Sequence, residues 1–215
     1  MQNKELIPIL CAGILLVIIV LSVFSFNSHV PFISQIKSDV PVGEIYGEKK
    51  VGQTFFCEKD EMDRIDVLLA TYARINSGKI IFHLREKSEA IDLRTVTVDA
   101  NSIKDTRYHQ FIFAPLENSK NKSYEFYIES PDSSPGNAIT IWYTSENSYD
   151  SGNATINHIP INGDLNFKVF YKFDTSQFIF SFYTRLSHDI PFLIVYLLTV
   201  CVIIVTILFV YIPRK

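Results

Sequence analysis

The sequence predicts an all-β domain flanked by two transmembrane α-helices, and three observations carry that expectation. Two long stretches near the ends contain no charged residue, residues 6–26 and residues 190–213. Between them lie short runs of alternating apolar and polar residues, the period-2 signature of half-buried strands. Turn residues separate these runs every dozen or so positions, and no convincing amphipathic helix interrupts them.

The uncharged stretches come first in the argument. A helix rises about 1.5 Å per residue, so each can cross a hydrocarbon layer of roughly 30 Å. The expected order is a cytoplasmic tail at 1–5, a first span at 6–26 and a connector at 27–41. The β-domain follows at 42–173, then an interfacial segment at 174–189, a second span at 190–212 and a cytoplasmic tail at 213–215. The first stretch also has the general character of a cleaved signal sequence. Its apolar core exceeds the roughly 7–15 residues of such signals, and no A-x-A site follows it, so an uncleaved anchor is the preferred reading. Lys4, Arg214 and Lys215 lie in the two tails. Basic residues beside spans stay cytoplasmic, which places both termini inside and residues 27–189 outside the cell membrane.

The outer segment carries 17 Lys+Arg against 22 Asp+Glu, a net charge of −5. That sign argues against a nucleic-acid partner. Cys57 is the only cysteine there, since Cys11 and Cys201 fall in the spans. No intradomain disulfide is available, so a packed core must hold the domain.

About nine strands are expected. They are 42–46, 51–57, 64–75, 79–86, 93–98, 107–113, 123–129, 138–144 and 165–173. Alternation proposes an inward set of Ile65, Val67 and Leu69; Ile80, Phe82 and Leu84; Tyr124, Phe126 and Ile128; and Ile139, Ile141 and Tyr143. In the last strand Phe167, Val169, Tyr171 and Phe173 share one side, and Lys168, Phe170 and Lys172 the other. This pattern predicts a sandwich or a barrel, with most of the 17 Phe and 11 Tyr filling the space between sheets. After the last strand, Phe178, Phe180, Phe182 and Tyr183 cluster with Arg185 and His188. Such a mixture favours the headgroup zone of a membrane.

The stretch VGQTFFCEKDEMDRIDVLLATYARINSGKIIFHLRE orders a Q-T-F strand, an I-x-V strand, a Gly turn and an LR-ending strand. Downstream come a Trp-containing strand, a Tyr-Gly loop and the closing DLNFKVFYK. Over residues 42–173 this order resembles the galactose-binding-like jelly-roll domains of bacterial and archaeal membrane-anchored envelope proteins. The resemblance implies a jelly-roll β-sandwich, a carbohydrate ligand and work in surface-glycan assembly. It also leaves room for a structural calcium ion bound by loop carbonyls.

No catalytic template is met. The sequence lacks G-x-S-x-G, H-E-x-x-H, C-x-x-C, a P-loop and G-x-G-x-x-G, so a non-enzyme is expected. His29, His83, His109, His158 and His188 are dispersed, and no pair has metal-ligand spacing. The acidic run at 58–63 reads as a solvated turn. Neither span holds an ionisable residue, which argues against a transport path. Sequons occur at Asn121 and Asn153 and matter only where exported proteins are glycosylated.

What remains is recognition. Trp142 is the single tryptophan, and alternation turns it away from Ile139, Ile141 and Tyr143. With Tyr143 and Tyr149 it forms a candidate apolar platform, flanked by Asn147, Asp150 and Asn153 as hydrogen-bonding groups. The alternative is a Trp142 packed under a loop, the usual fate of large aromatics. Two functions follow. One is a membrane-tethered, non-catalytic module that binds a glycan or glycolipid headgroup. The other is a scaffold whose spans and domain dock on a multi-span membrane protein such as a glycosyltransferase.

Overall fold

Strict alternation in the sequence becomes, in the computed structural model, two antiparallel sheets packed around one apolar layer. The structure describes residues 28–173 and 175–211, so the first expected span and both tails lie outside the described residues. The described chain falls into two compact units, the β-domain His29–Lys172 and a second unit that contains the C-terminal helices.

The strands are β1 (Ser28–Gln35), β2 (Val40–Pro41), β3 (Lys50–Cys57), β4 (Met62–Ala70), β5 (Lys79–Glu86), β6 (Asp92–Asp99) and β7 (Arg107–Leu116). They continue as β8 (Lys122–Glu129), β9 (Thr140–Thr144), β10 (Ala154–Ile156), β11 (Ile159–Pro160), β12 (Asp164–Leu165) and β13 (Phe167–Phe173). The first sheet has seven strands along the path β1-β13-β4-β9-β12, with β7 on the far side of β4 and β2 on β9. The second has six, in the order β11-β10-β3-β8-β5-β6.

Two expectations change. Residues 42–46 form no strand, although Val42 and Ile45 still donate their N–H groups to Ile141 and Ile139. Gly43 sits at φ +91 between them, a conformation that breaks a ladder. Conversely, residues 28–35, expected as part of a connector, form the edge strand β1 beside β13.

The core lies between the sheets. Ile65, Val67, Leu69, Ile80, Phe82, Leu84, Tyr124, Phe126, Ile128, Ile139 and Ile141 are all buried in it. Phe82 stacks on Phe111 at 4.5 Å and on Phe126 at 5.8 Å, and Phe126 tilts against Phe167 at 5.5 Å. Burying each such ring stabilises the fold by about 2–3 kcal/mol. Cys57 is buried and free, its Sγ directed at the Lys59 carbonyl.

Asp63 interrupts the alternation. Both partners of β4 skip it: Phe170 pairs with Arg64 and Tyr171 with Met62, while on β7 the ladder steps from Ile112–Arg64 to Leu116–Met62. This bulge turns the Asp63 carboxylate into a buried position, whereas Glu58, Lys59 and Asp60 are the exposed turn expected of the acidic run.

The helical unit holds α1 (Thr175–His188) and α2 (Ile190–Tyr211). Asp189 separates them and caps α2 by accepting the Phe192 N–H at 3.1 Å, with Pro191 tolerated in the first turn. Phe182 of α1 meets Phe192 and Tyr196 of α2 edge-on at 5.8 and 5.7 Å. Among the described residues no single helix is long and apolar enough to cross a membrane; the pair Ile179–His188 and Ile190–Ile203, bent by 103°, has the length and composition together.

Candidate functional site

The two outer sheet faces differ in one respect that decides between them: whether their polar groups already have partners. On the six-stranded sheet they do. Glu125 of β8 lies beside Arg85 of β5 in the ladder and accepts its Nε and Nη2 at 3.0 and 2.6 Å. The Thr155 hydroxyl donates to the same carboxylate at 2.9 Å, and His158 Nδ1 lies 3.2 Å from both oxygens. Burial pushes the Glu125 carboxyl up, but the bonds from Arg85, His158 and Thr155 outweigh it and hold the group below its ordinary range.

Tyr127 sits at the centre of this face. His83 stacks on it at 4.4 Å, His158 meets its edge at 4.7 Å, and Lys50 and Arg85 lie over the ring at 5.3 and 5.4 Å. Its hydroxyl reaches Asp92, and burial followed by that carboxylate pushes it up to about 12. His83 bridges Asp92 and Glu129, and Lys50 pairs with Glu129. Two histidines that are dispersed in sequence thus share one tyrosine.

The local chain explains how. Asn157 and His158 form a two-residue turn between β10 and β11 with φ of 50° and 64°, the primed geometry usually given to glycine. Beneath the network, Gly52 is required: a Cβ there would lie 2.4 Å from the Phe126 carbonyl and 2.8 Å from Thr155 Oγ1. Every charge in this network is answered by another, and a depression of about 540 Å³ opens at its margin beside Lys50, Glu129 and His158.

The outer face of the seven-stranded sheet is less complete. Its side chains form rows across the strands. One row runs Tyr108, Leu68, Asn166, Trp142: Tyr108 pairs with Leu68, the Leu68 N–H donates to the Asn166 carbonyl, and the Asn166 N–H donates to the Trp142 carbonyl. Three strand spacings separate Tyr108 from Trp142, roughly 14 Å. The next rows are Gln110, Asp66, Lys168 and Ile112, Arg64, Phe170. Arg64 grips Asp66 with two bonds of 2.6 Å and covers the Phe170 ring at 4.1 Å. Tyr108 donates to Asn166 Oδ1 at 2.6 Å, and Lys168 rests over the Tyr108 ring at 4.3 Å. Trp142 is half-buried, and its Nε1 is shielded from solvent without an acceptor among the described residues. Gln110 is exposed.

The candidate residues read from the sequence are distributed over several places. Trp142 faces outward on β9, on the side away from Ile141. Tyr143 packs against the core from the inner side. Tyr149 is directed inward: its hydroxyl accepts the Phe56 N–H at 3.2 Å, and its ring meets Phe167 edge-on at 5.6 Å. The Ser148 and Tyr149 N–H groups both donate to buried Asp164, which fixes the loop. Asn147 and Asp150 are exposed on that loop. Asn153 exchanges bonds with Thr54 through its backbone. Trp142 and the Tyr149 loop therefore do not form one platform. Tyr108 shares Trp142's row instead, Lys168 and Gln110 lie in the next, and no sequence period relates β7 or β13 to β9.

Comparison with protein-family models, with characterised proteins and with solved structures gives no match for this chain.

Proposed function

We propose that the chain is a membrane-tethered, non-catalytic binding module, a jelly-roll β-sandwich held outside the cytoplasmic membrane that recognises a glycan or glycolipid headgroup. The observation that carries this reading is the outer face of the seven-stranded sheet. It sets two aromatic rings, Trp142 and Tyr108, at the two ends of one row, with buried Asn166 between them and Gln110 and Lys168 in the next row. Apolar surface bordered by a few polar groups is what saccharide rings require. The tethering rests on the uncharged stretches at 6–26 and 190–213.

The test is calorimetry of the full chain in nanodiscs against glycans prepared from the organism's own envelope. Saturable binding that Trp142→Ala and Tyr108→Ala each weaken supports the reading. A folded protein that binds none of them overturns it in favour of a docking role beside a multi-span membrane protein.

A further inference from the structure

We propose that the depression beside Tyr108 takes the oxyanion of an acidic saccharide; this rests on reading the outer face of the seven-stranded sheet as a glycan surface. The depression, about 320 Å³, is lined by Ser102, Lys104, Arg107, Tyr108, His109 and Gln110. Lys104 and Arg107 are exposed, and neither has a carboxylate within ion-pair reach among the described residues. Lys168, whose ammonium lies 4.3 Å above the Tyr108 ring, has none either.

Among the described residues Lys37, Lys50, Arg64, Arg74, Lys79, Arg85 and Lys122 hold a carboxylate, and Lys49, Lys59, Lys87, Arg94, Lys120 and Lys172 do not; what sets Lys104 and Arg107 apart is that the two line one depression together. The outer segment as a whole is acidic, 17 Lys+Arg against 22 Asp+Glu, yet Lys104 and Arg107 line one depression at the β7 edge, and Lys168 lies over the ring of Tyr108 that borders it. The acid within this loop, Asp105, is engaged elsewhere. Its Oδ1 accepts the Thr71 N–H at 2.6 Å and the Thr71 hydroxyl at 3.1 Å, and those bonds hold its carboxyl below the usual range.

Chemistry then selects the ligand. The planar guanidinium of Arg107 offers a fork of donors matched to carboxylate or phosphate oxygens, and Lys104 adds a point charge. Ser102 and Gln110 supply hydroxyl and amide partners for sugar hydroxyls at the same margin. The acid group settles between Lys104 and Arg107, and the sugar lies along the β7 edge against Tyr108 and Gln110; toward Trp142 the row is covered at buried Asn166, whose amide donates to the Ile36 carbonyl and the Ser38 hydroxyl. A neutral saccharide leaves these cations unanswered, so the face discriminates by charge. Carboxylate and phosphate ester are two sources of the same oxyanion, and the probes separate them.

The experiment uses the full chain in nanodiscs of neutral lipid and titrates hexagalacturonate, its methyl ester and glucose 6-phosphate. The expected result is saturable binding of at least one acidic probe, weaker for the ester and weakened several-fold between 50 and 500 mM salt, a range over which the screening length shrinks to a few ångströms (about 10 Å at 0.1 M and 3 Å at 1 M). Lys104→Gln and Arg107→Gln should each lower affinity about threefold to fivefold, the order of an exposed ion pair, without moving the unfolding midpoint read by Trp142 fluorescence. Preference for hexagalacturonate identifies a uronate, and preference for glucose 6-phosphate a phosphosugar. Equal binding of acid and ester, unaffected by either variant, overturns this inference and leaves the glycan reading intact. Binding of no probe overturns it too, and overturns the glycan reading with it only when envelope glycans also fail to bind.

Discussion

Arg85 and Glu125 are directly paired across β5 and β8, and two N–H···O bonds of 3.0 and 2.6 Å join them where Glu125 is almost wholly shielded from water. A buried pair of this kind matters most when one member is removed. Arg85→Ala leaves the Glu125 carboxylate with Thr155 and His158 alone, and is expected to cost about 3–5 kcal/mol. The double replacement Arg85→Met with Glu125→Leu removes both charges and should cost clearly less than Arg85→Ala. Urea unfolding followed through Trp142 fluorescence measures both. A double variant less stable than the single would show that the network does more than neutralise itself.

The same carboxylate makes stability depend on acid. Its folded value lies below the ordinary 4.5, so its contribution is present above that range and is lost as pH falls through the folded value. Glu125→Gln should flatten the acid limb of a stability-versus-pH curve. An unchanged limb would assign acid sensitivity to other carboxylates.

Asp63 is expected to act in the opposite direction. Burial raises its carboxyl above the ordinary 3.8, against the hydrogen bond and charge of His29, and Oδ1 has no donor among the described residues. A carboxyl raised by folding favours the fold in its protonated form, and that gain is lost as pH rises through the folded value. Asp63→Asn should therefore stabilise the protein near neutrality and have little effect in acid. A loss of stability at neutral pH would mean that the 2.8 Å bond to His29 outweighs the desolvation of the carboxylate.

The sequence exposes some of this architecture and hides the rest for identifiable reasons. Alternation marks Ile65, Val67, Leu69, Phe82 and Phe126 as inward because a strand's two faces meet different solvents, and all five are buried. It misplaces β1, where Pro31 and the polar residues around Val30 and Phe32 read as a connector. It misses the β10–β11 hairpin, because Asn157 and His158 take the turn positions where glycine would announce it. In β13 the run Phe167, Val169, Tyr171 loses its phase at the bulge opposite Asp63, so Tyr171 is not in the core with the first two. Above all, period says which side a residue faces but not which strand lies beside it. Arg85 and Glu125 are 40 residues apart, and Tyr108 and Asn166 are 58 apart. Both polar networks depend on strand order and were invisible for that reason.

Two glycines separate close approach from backbone strain. Gly152 faces the Thr54 carbonyl so closely that an added Cβ would lie 1.8 Å from its oxygen. Gly152→Ala must displace backbone, and should cost about 1–3 kcal/mol or more. At Gly136 an added Cβ would meet no atom within 4 Å, but the residue sits at φ +79. Gly136→Ala should cost about 1–2 kcal/mol through its left-handed backbone alone. Unfolding midpoints of the two variants, compared with the parent, rank the two effects; the reverse order would show that the Thr54 strand yields easily.

Tyr149 separates the loop read from the sequence from the face read from the structure. Its hydroxyl is held by the Phe56 backbone, its ring leans on Phe167, and burial raises the phenol above its ordinary 10. Removing that hydroxyl leaves the Phe56 N–H without its acceptor, a loss of about 1–3 kcal/mol. Tyr149→Phe is therefore expected to lower the unfolding midpoint while leaving glycan affinity unchanged, whereas Tyr108→Ala should lower affinity. Calorimetry and urea unfolding on the same two variants decide the matter. A Tyr149→Phe protein of parental stability that binds glycan more weakly would return the loop of Asn147, Tyr149 and Asp150 to the binding surface, and would move the site from the outer face of the sheet to the end of the sandwich.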